Sequence, residues 1–551
     1  MVLKKITSYI KSAPKTLIAI VFFAFILRVV GISYGLPLWL VDDEPPFVLS
    51  AIKMIQLRTL IPALHQSDFA NILYYPPYLA YLYVLPFITL LGFQYAAHYA
   101  LGNLFIPFVV SDLSTFFIIA RFITILFALA SIVFIYEIGK NIFNSVRIGI
   151  LSAFFLSTSL LHIILSITSR HWLVVSFFGL LVFWILSNPK HAIEKKYLAV
   201  SIAAGVGMGF NIIIGTYLIL VAAWYLFFER RAIAIKYIVA SVVVFTILAS
   251  LPVLLYPQSL GFASDITTDN PKTAIGILTS PFLFLKPNAF SEPLLMIFFI
   301  IGLAALFFLQ RNLFVVFFLL LYGYSALFYI AFRYEHRFTV GLLPFAVLLA
   351  AYGFNYIALI TKKQWIYALL IIPLVFSVQL NRVIMNNDSR VNARTWIEQN
   401  IPAHEKILVY ARLTRLSSEP DAINEQKTID SGSLRKVDEA EALLPPNMRS
   451  NTTFHSLNLY SVTNELFFEN IGNYAKKNNY TYALISNENF MRDEKEFDIM
   501  QKLGASGMLI KTFGSYQPDY SISASQLLGN PIRLFSFREF GPKLSLYKIL
   551  P

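Results

Sequence analysis

The sequence contains no cysteine among its 551 residues, which excludes a disulfide scaffold, a thiolate metal site and a cysteine nucleophile. It is also poor in charge, because only 14% of its residues are charged, whereas an ordinary soluble domain has about 25%. Hydrophobic residues make up 57% of the chain and aromatic residues 16%. This composition excludes a purely soluble enzyme and predicts an integral membrane protein. P-loop and dinucleotide-binding fingerprints are also absent from the sequence.

The excess of positive charge lies entirely in the first part of the chain. Before residue 388 there are 12 acidic and 25 basic residues, and from there on there are 19 of each. The basic character is therefore a signal of membrane topology and not of nucleic-acid binding. We predict a transmembrane domain over 1–386 and a soluble α/β domain over 387–551.

Apolar runs and basic loops together predict how the chain crosses the membrane, since a span needs about 20 apolar residues and basic loops stay inside. The N-terminus is basic, and so is every second loop. Residues 72–93 are apolar enough to cross, but crossing there would place the later basic loops outside. We therefore predict interfacial or re-entrant helices in a first outer loop over 35–112. The predicted spans number about eleven, with the C-terminal domain outside: 16–34, 113–138, 148–165, 171–187, 197–214, 216–228, 237–256, 293–310, 313–331, 339–360 and 365–381.

Most acidic residues of the membrane part fall on the predicted outer face. A transporter places its acids within spans near the midplane, whereas this distribution favours a site at the outer membrane boundary. The nine outer acids are Asp42, Asp43, Glu44, Asp68, Asp112, Asp265, Asp269, Glu292 and Glu335.

Three consecutive acids, Asp42, Asp43 and Glu44, follow the first span and precede two prolines. One interpretation is a solvated acidic cap at the end of a span. The other is a general base, because loss of water at the bilayer edge raises the pKa of a carboxylate.

Several segments, in this order, resemble a known family. An Asp-Glu pair just past the first span resembles the polyprenyl-phosphate-sugar-dependent glycosyltransferases of the GT-C fold, which include protein O-mannosyltransferases and lipid A aminoarabinose transferases. The family's Lys before Pro-Pro is Tyr75 here, the Lys often found near its fifth span is absent, and no acid follows Arg170 in SRHWLVV. The other segments with this resemblance are LYYPPYLAYLYVL (73–85), 118–159, GVGMGFNIIIGTYLIL (205–220), RYEHRFTVGLLPFAVLLAAYG (333–353), 393–410 and 541–549.

The resemblance implies a GT-C fold and an inverting hexosyl- or pentosyltransferase. Such an enzyme moves a sugar from an undecaprenyl- or dolichyl-phosphate donor to a hydroxyl of a protein, lipid or glycan. The basic loops predict that the site and the C-terminal domain are extracytoplasmic, and we expect a multi-pass protein of the plasma (inner) membrane that acts in the cell envelope. The alternatives are a transporter or flippase for lipid-linked glycans and a non-catalytic binder of such lipids.

The predicted site residues have three roles. Asp43 matches the first residue of the family's Asp-Glu pair and is the expected base; Asp42 is the competing assignment, and Glu44 would orient acceptor or base. Cationic side chains are expected to bind the donor phosphate, although membrane-interface anchoring explains the same arginines. The phosphate-binding candidates are Arg337, which aligns best, Arg333, His336, Arg170 and Lys286; the candidates for other substrate contacts are Tyr75, Pro77, Tyr78 and His171.

The sequence offers oxygen ligands for a metal ion but no recognisable metal-binding motif. Asp42, Asp43 and Asp112 have oxygen ligands suited to Mg²⁺ or Mn²⁺, but the outer loops contain no Asp-x-Asp and no His cluster. We predict that no metal or other cofactor is required.

Overall fold

The computed structural model is mostly helical and describes residues 13–41, 43–229, 235–260, 273–331, 336–449, 452–486, 507–514 and 530–549. The fold class expected from the sequence, a polytopic α-helical membrane protein with a C-terminal α/β domain, is confirmed. Two predicted site residues, Asp42 and Arg333, lie outside the described residues.

A helix lies at each of the eleven predicted spans. The helices of the membrane part are α1 (Lys15–Val29), α2 (Pro45–Leu57), α3 (Gln66–Phe69), α4 (Tyr78–Ala97), α5 (Phe105–Ser111), α6 (Ser114–Ile142), α7 (Val146–Thr158), α8 (Leu160–Ser166), α9 (Trp172–Ser187), α10 (Ile193–Met208), α11 (Leu218–Phe228), α12 (Ile235–Leu255), α13 (Ala274–Ser291), α14 (Pro293–Leu309), α15 (Arg311–Ala331), α16 (Leu343–Thr361) and α17 (Ile371–Met385).

Length and composition alone identify fewer membrane spans than helices. Within the described residues, six helices are long and apolar enough to cross, or up to eight if each of two bent helix pairs is one span. One bent pair is α7 with α8, which meet at 60°. Helix α4 is among the six, so its interfacial or re-entrant placement and the count of eleven stay predictions.

Two glycines allow α14 and α16 to touch through their backbones. A Cβ atom on Gly302 would lie 1.9 Å from the Leu349 carbonyl oxygen, and one on Gly353 would lie 2.1 Å from that of Phe298. Small residues permit this close approach between membrane helices. The contact fixes α16, whose preceding turn carries His336 and Arg337.

The sequence predicts a long outer loop over 257–292 that could close as a lid, but this prediction is wrong for the second half of the segment. Residues 274–291 form α13, whose start is capped by the Thr273 hydroxyl, which accepts from the Gly276 N–H at 3.0 Å. Pro281 and Pro287 lie inside the helix, so each removes one N–H donor without ending it. Phe284 packs against Phe328 of α15, with ring centroids 5.5 Å apart.

The C-terminal domain is built on a five-stranded mixed sheet. The sheet order is β2-β1-β3-β5-β4, in which β1 pairs parallel with β2 and β3, and β5 pairs antiparallel with β3 and β4. The apolar segments KILVY, YTYALIS and LSLYKIL are typical of strands, and three of the observed strands coincide with them. The strands are β1 (Lys406–Tyr410), β2 (His455–Asn458), β3 (Tyr482–Ser486), β4 (Gly507–Phe513) and β5 (Leu544–Ile549).

Helices flank this sheet, and one of them was missed. The polar segment SSEPDAINEQKTIDSGS predicts a loop, but Pro420–Ile429 is helical, and its first residue is a proline, which is well suited to the first turn of a helix. The helices are α18 (Ser389–Asn400), α19 (Pro420–Ile429), α20 (Lys436–Leu443), α21 (Glu465–Glu469) and α22 (Ile471–Lys477).

The first loop is fastened to the C-terminal domain just before the acidic cluster. The Tyr34 hydroxyl donates to Asp388 Oδ2 at 2.7 Å, and the Gly35 N–H donates to Asn387 Oδ1 at 2.9 Å. Leu38 and Leu40 are buried with Val391. These contacts place the loop that carries Asp43 on the same side of the helices as the C-terminal domain.

Candidate active site

Asp43 lies between two arginines that come from distant parts of the chain. Its Oδ2 atom accepts from Arg170 Nη2 at 2.6 Å and from Arg337 Nη1 at 2.9 Å. The Asp43 side chain is 39% exposed, whereas those of Arg170 and Arg337 are 2% and 15% exposed. Asp43 also has a φ of +61°, a backbone conformation that costs a non-glycine residue energy and is enriched at functional sites.

Glu44 is held in a completely buried ion pair with Arg121. Arg121 donates from Nε and Nη2 to the two Glu44 oxygens at 2.7 and 2.6 Å, and neither side chain is exposed. The remaining Arg121 amino group donates to the carbonyls of Ile32 and Tyr34. Glu44 Oε1 also accepts from the Ser169 N–H at 2.8 Å. Glu44 thus ties the first loop to the residue preceding Arg170 and positions that arginine.

Arg337 and His336 leave the same 3₁₀ turn, His336–Gly341, toward different partners. The Arg337 guanidinium carbon lies 5.9 Å from the centre of the Trp172 ring, a cation–π contact. His336 is buried, and its Nε2 hydrogen-bonds with Asn288 Oδ1 of α13 at 2.9 Å. Of this pair, Arg337 is therefore the residue in contact with Asp43.

An aromatic cluster lies beside the Asp43–arginine group. The rings of Tyr75 and His171 are 4.4 Å apart, and Phe47 stacks on Tyr75 at 5.2 Å. The centre of the His171 ring also lies 4.4 Å from that of Trp172, which is the first residue of α9. Tyr75, which stands where the resemblance expects a lysine, thus contacts the residue next to Arg170.

The Pro-Pro segment docks on the turn after α10. Pro77 precedes the first residue of α4, and the Tyr78 N–H donates to the Gly209 carbonyl at 3.1 Å. A Cβ atom on residue 209 would lie 2.1 Å from the Tyr78 ring, so this close contact requires glycine. The Tyr78 ring also packs edge-on against Phe210 at 5.8 Å.

Two other predicted participants lie apart from these contacts. Lys286 is exposed on α13, with no ion pair among the described residues. Asp112 is exposed, and its Oδ1 accepts from the Ser114 N–H at 2.9 Å. Within the described part of the chain no three His, Asp or Glu side chains are placed to hold a metal ion, and the metal prediction stays untested.

The arrangement has a definite chemical capacity. Two guanidinium groups present forked N–H donors that match phosphate or carboxylate oxygens. A half-exposed carboxylate is held where it contacts both of them. Such a site can bind an oxyanion and accept a proton from a group that arrives beside it.

Comparison with solved structures finds several chains with a similar backbone fold. One is the archaeal oligosaccharyltransferase AglB from Archaeoglobus fulgidus, in complex with an inhibitory peptide and a dolichol-phosphate, at 14% identity, a TM-score of 0.39, and 90% of this chain and 72% of that chain covered. Others are ArnT from Cupriavidus metallidurans bound to undecaprenyl phosphate (10% identity, TM-score 0.43) and in the apo state (11%, 0.44), each with 96% of this chain and 97% of that chain covered.

These proteins are GT-C fold glycosyltransferases that use polyprenyl-phosphate-linked donors, the class that the sequence motifs resemble. With TM-scores below 0.5, these likenesses carry no inference about the activity of this chain, which rests on its own residues. No protein-family model matches the sequence, and no curated protein matches it.

Proposed function

We propose that this protein is an inverting glycosyltransferase that moves a sugar from a polyprenyl-phosphate donor to a hydroxyl acceptor. The observation that carries the proposal is the contact of one carboxylate, Asp43, with two guanidinium groups, Arg170 and Arg337. This pairs a proton acceptor with an anion-binding fork at the end of the first loop. The motifs that resemble the glycosyltransferases support the same assignment.

The two arginines bind the donor phosphate. Phosphate oxygens can accept hydrogen bonds from the same guanidinium N–H groups that donate to Asp43 Oδ2. A phosphodiester bound between the two guanidiniums therefore competes with Asp43 for these N–H groups. Binding of the donor therefore loosens the Asp43 contacts. Charge then builds up on the phosphate as it leaves, and the fixed guanidiniums stabilise that charge.

Asp43 acts as the general base in a direct displacement. The acceptor hydroxyl loses its proton to the Asp43 carboxylate, and its oxygen forms a bond to the anomeric carbon. The bond from that carbon to the phosphate oxygen breaks, and its electron pair leaves with the polyprenyl phosphate. Attack opposite the leaving group inverts the anomeric configuration.

The reaction takes place at the outer boundary of the plasma (inner) membrane. The proposal rests on the basic loops, which mark the inner side, and on the contacts between the first loop and the C-terminal domain. A prenyl chain reaches such a site sideways from the bilayer, whereas the acceptor arrives from water or from the lipid surface.

The test is sugar transfer by the purified full-length protein in nanodiscs, with a panel of radiolabelled farnesyl-phosphate hexoses and pentoses. Lipid, peptide and glycan acceptors from the envelope of the source organism are offered in turn. We expect transfer with inversion from at least one donor, and a loss of roughly 10²–10⁴-fold in Asp43→Asn.

The matched control is Asp68→Asn, which removes an exposed acid from the same loop and should retain the wild-type rate. Vectorial transport of the intact labelled lipid across vesicles, without sugar transfer, would overturn the proposal in favour of a flippase. Binding of the donors without transfer or transport would overturn it in favour of a non-catalytic binder.

A further inference from the structure

Two neighbouring side chains at the candidate site have buried polar atoms without hydrogen-bond partners among the described residues. Both ring nitrogens of His171 and the indole Nε1 of Trp172 are inaccessible and unpaired. The two residues are 0% and 3% exposed. Leaving buried donors and acceptors unpaired costs free energy, so native structures leave few of them, and each requires an explanation.

His171 and Trp172 lie next to the two arginines of the candidate site. His171 follows Arg170, which contacts Asp43, and the Trp172 ring lies under the Arg337 guanidinium. The turn that carries them is fixed from the other side, because the Ser169 N–H donates to Glu44 Oε1 at 2.8 Å. Both side chains are therefore held in place immediately beside the two phosphate-binding candidates.

The polar atoms themselves limit the partner. An indole N–H only donates, so its partner must be an acceptor; a neutral imidazole offers one donor and one acceptor. A sugar hydroxyl both donates and accepts and satisfies either side chain. A protonated amine offers donors only, so it cannot pair with the indole, and near Arg170 and Arg337 it is also repelled by two guanidinium charges.

We propose that His171 and Trp172 form a recognition pair for hydroxyl groups of the donor sugar, and that they select an uncharged, hydroxylated ring over one with a protonated amine. This rests on the proposed function and deepens it by naming the sugar class. The centres of the Tyr75 and Trp172 rings each lie 4.4 Å from the centre of the His171 ring, and aromatic rings suit contact with the C–H faces of a pyranose.

The test separates the sugar from the rest of the donor. Affinity is measured by titration for farnesyl phosphate, which has no sugar, and for farnesyl-phosphate-linked mannose, arabinose and 4-amino-4-deoxyarabinose. Wild-type protein should bind the neutral sugar donors more tightly than the amino sugar donor. Trp172→Phe keeps an aromatic ring at this position but lacks the N–H, and should weaken binding of the preferred neutral donor about 3–10-fold while farnesyl phosphate binds as before.

A matched control comes from a second buried tryptophan whose indole Nε1 also has no partner among the described residues, Trp224. The Trp224 ring packs against Phe183. Phe183 lies in α9, eleven residues after Trp172 and thus about 16 Å away along the helix. Trp224→Phe should leave the affinity for every probe unchanged.

The outcomes distinguish this inference from the proposed function. If Trp172→Phe weakens farnesyl phosphate and the sugar donors equally, or if the amino sugar donor binds best, the recognition pair is wrong although transfer stands. If no donor is bound or used at all, the proposed function itself fails. A His171→Asn variant, which retains one donor and one acceptor, should keep more of the neutral sugar affinity than His171→Phe; equal losses would also count against the pair.

Discussion

Arg337 Nη1 donates to Asp43 Oδ2 at 2.9 Å although 294 positions separate the two residues in the chain. Arg170 donates to the same oxygen. Two arginines from different parts of the chain thus bind the carboxylate that follows the first span.

Replacing either arginine by lysine should weaken the binding of farnesyl phosphate. Lysine keeps the charge but loses the fork that matches two phosphate oxygens, and charge-assisted hydrogen bonds are worth about 1.5–3 kcal/mol each. We expect roughly 10–100-fold weaker binding in Arg170→Lys and Arg337→Lys, measured by titration in nanodiscs. Arg538→Lys, an exposed residue of the C-terminal domain, serves as the control; equal losses in all three variants would contradict the assignment.

The Glu44–Arg121 pair should matter mainly for stability. Removing one partner leaves a buried charge uncompensated, which typically costs about 3–5 kcal/mol. Glu44→Gln and Arg121→Gln should therefore each lower the melting temperature in detergent strongly. The double variant should melt higher than either single one, because it leaves no lone charge. A Glu44→Gln protein that melts like wild type yet fails in transfer would instead place Glu44 among the groups that touch the reactants.

The close helix contact at Gly302 predicts a steric effect. Gly302→Ala would place a methyl group 1.9 Å from the Leu349 carbonyl oxygen, so α14 and α16 must separate. Overpacking of this kind costs about 1–3 kcal/mol and should lower the melting temperature. Gly92→Ala in α4 meets no atom within 4 Å and should melt like wild type or slightly higher; similar drops for both would refute the contact.

A pH dependence is expected in the C-terminal domain. Burial by itself raises the pKa of Glu425, but hydrogen bonds with His455 at 2.5 Å, with the Tyr474 hydroxyl and with the Tyr480 hydroxyl at 2.8 Å outweigh it and lower the pKa to about 2. Since the folded pKa lies below the ordinary value of 4.5, the carboxylate stabilises the fold above about pH 4.5. That contribution is lost as the pH falls from 4.5 toward 2.

Hydrogen exchange of the β1 and β3 amides in the full-length protein tests this dependence. Glu425→Gln should show less protection than wild type at neutral pH and a flatter acid profile below pH 4.5. Glu469→Gln, at an exposed position, is the control and should follow the wild type. Parallel acid profiles for wild type and Glu425→Gln would exclude the network as the cause.

Sequence patterns predicted the elements better than the contacts between them. Apolar runs located a helix at each predicted span because the bilayer sets helix length and composition. The helix α13 was missed because Pro281 and Pro287 are typical of a loop, although each removes only one hydrogen bond from a helix that is otherwise apolar. The helix at 420–429 was missed because the polar run around it also resembles a loop.

The candidate site was predicted in part. The acidic cluster and the outer arginines indicated the surface on which Asp43, Arg170 and Arg337 meet. The pairing of Glu44 with Arg121 was not predicted, since 77 positions separate them and no local pattern relates them. An arginine inside an apolar span, which must be paired to be stable there, is the signal that could have indicated a partner for Arg121.

The central claim, that Asp43 is the base and shares its two guanidiniums with the donor phosphate, is tested most directly by one paired measurement on Asp43→Asn. Farnesyl phosphate affinity and sugar transfer rate are determined on the same preparation. The account predicts that binding is unchanged or tighter, because a competing carboxylate is lost, while transfer falls by roughly 10²–10⁴-fold. Transfer that survives at the wild-type rate, or binding that falls together with it, would contradict the account.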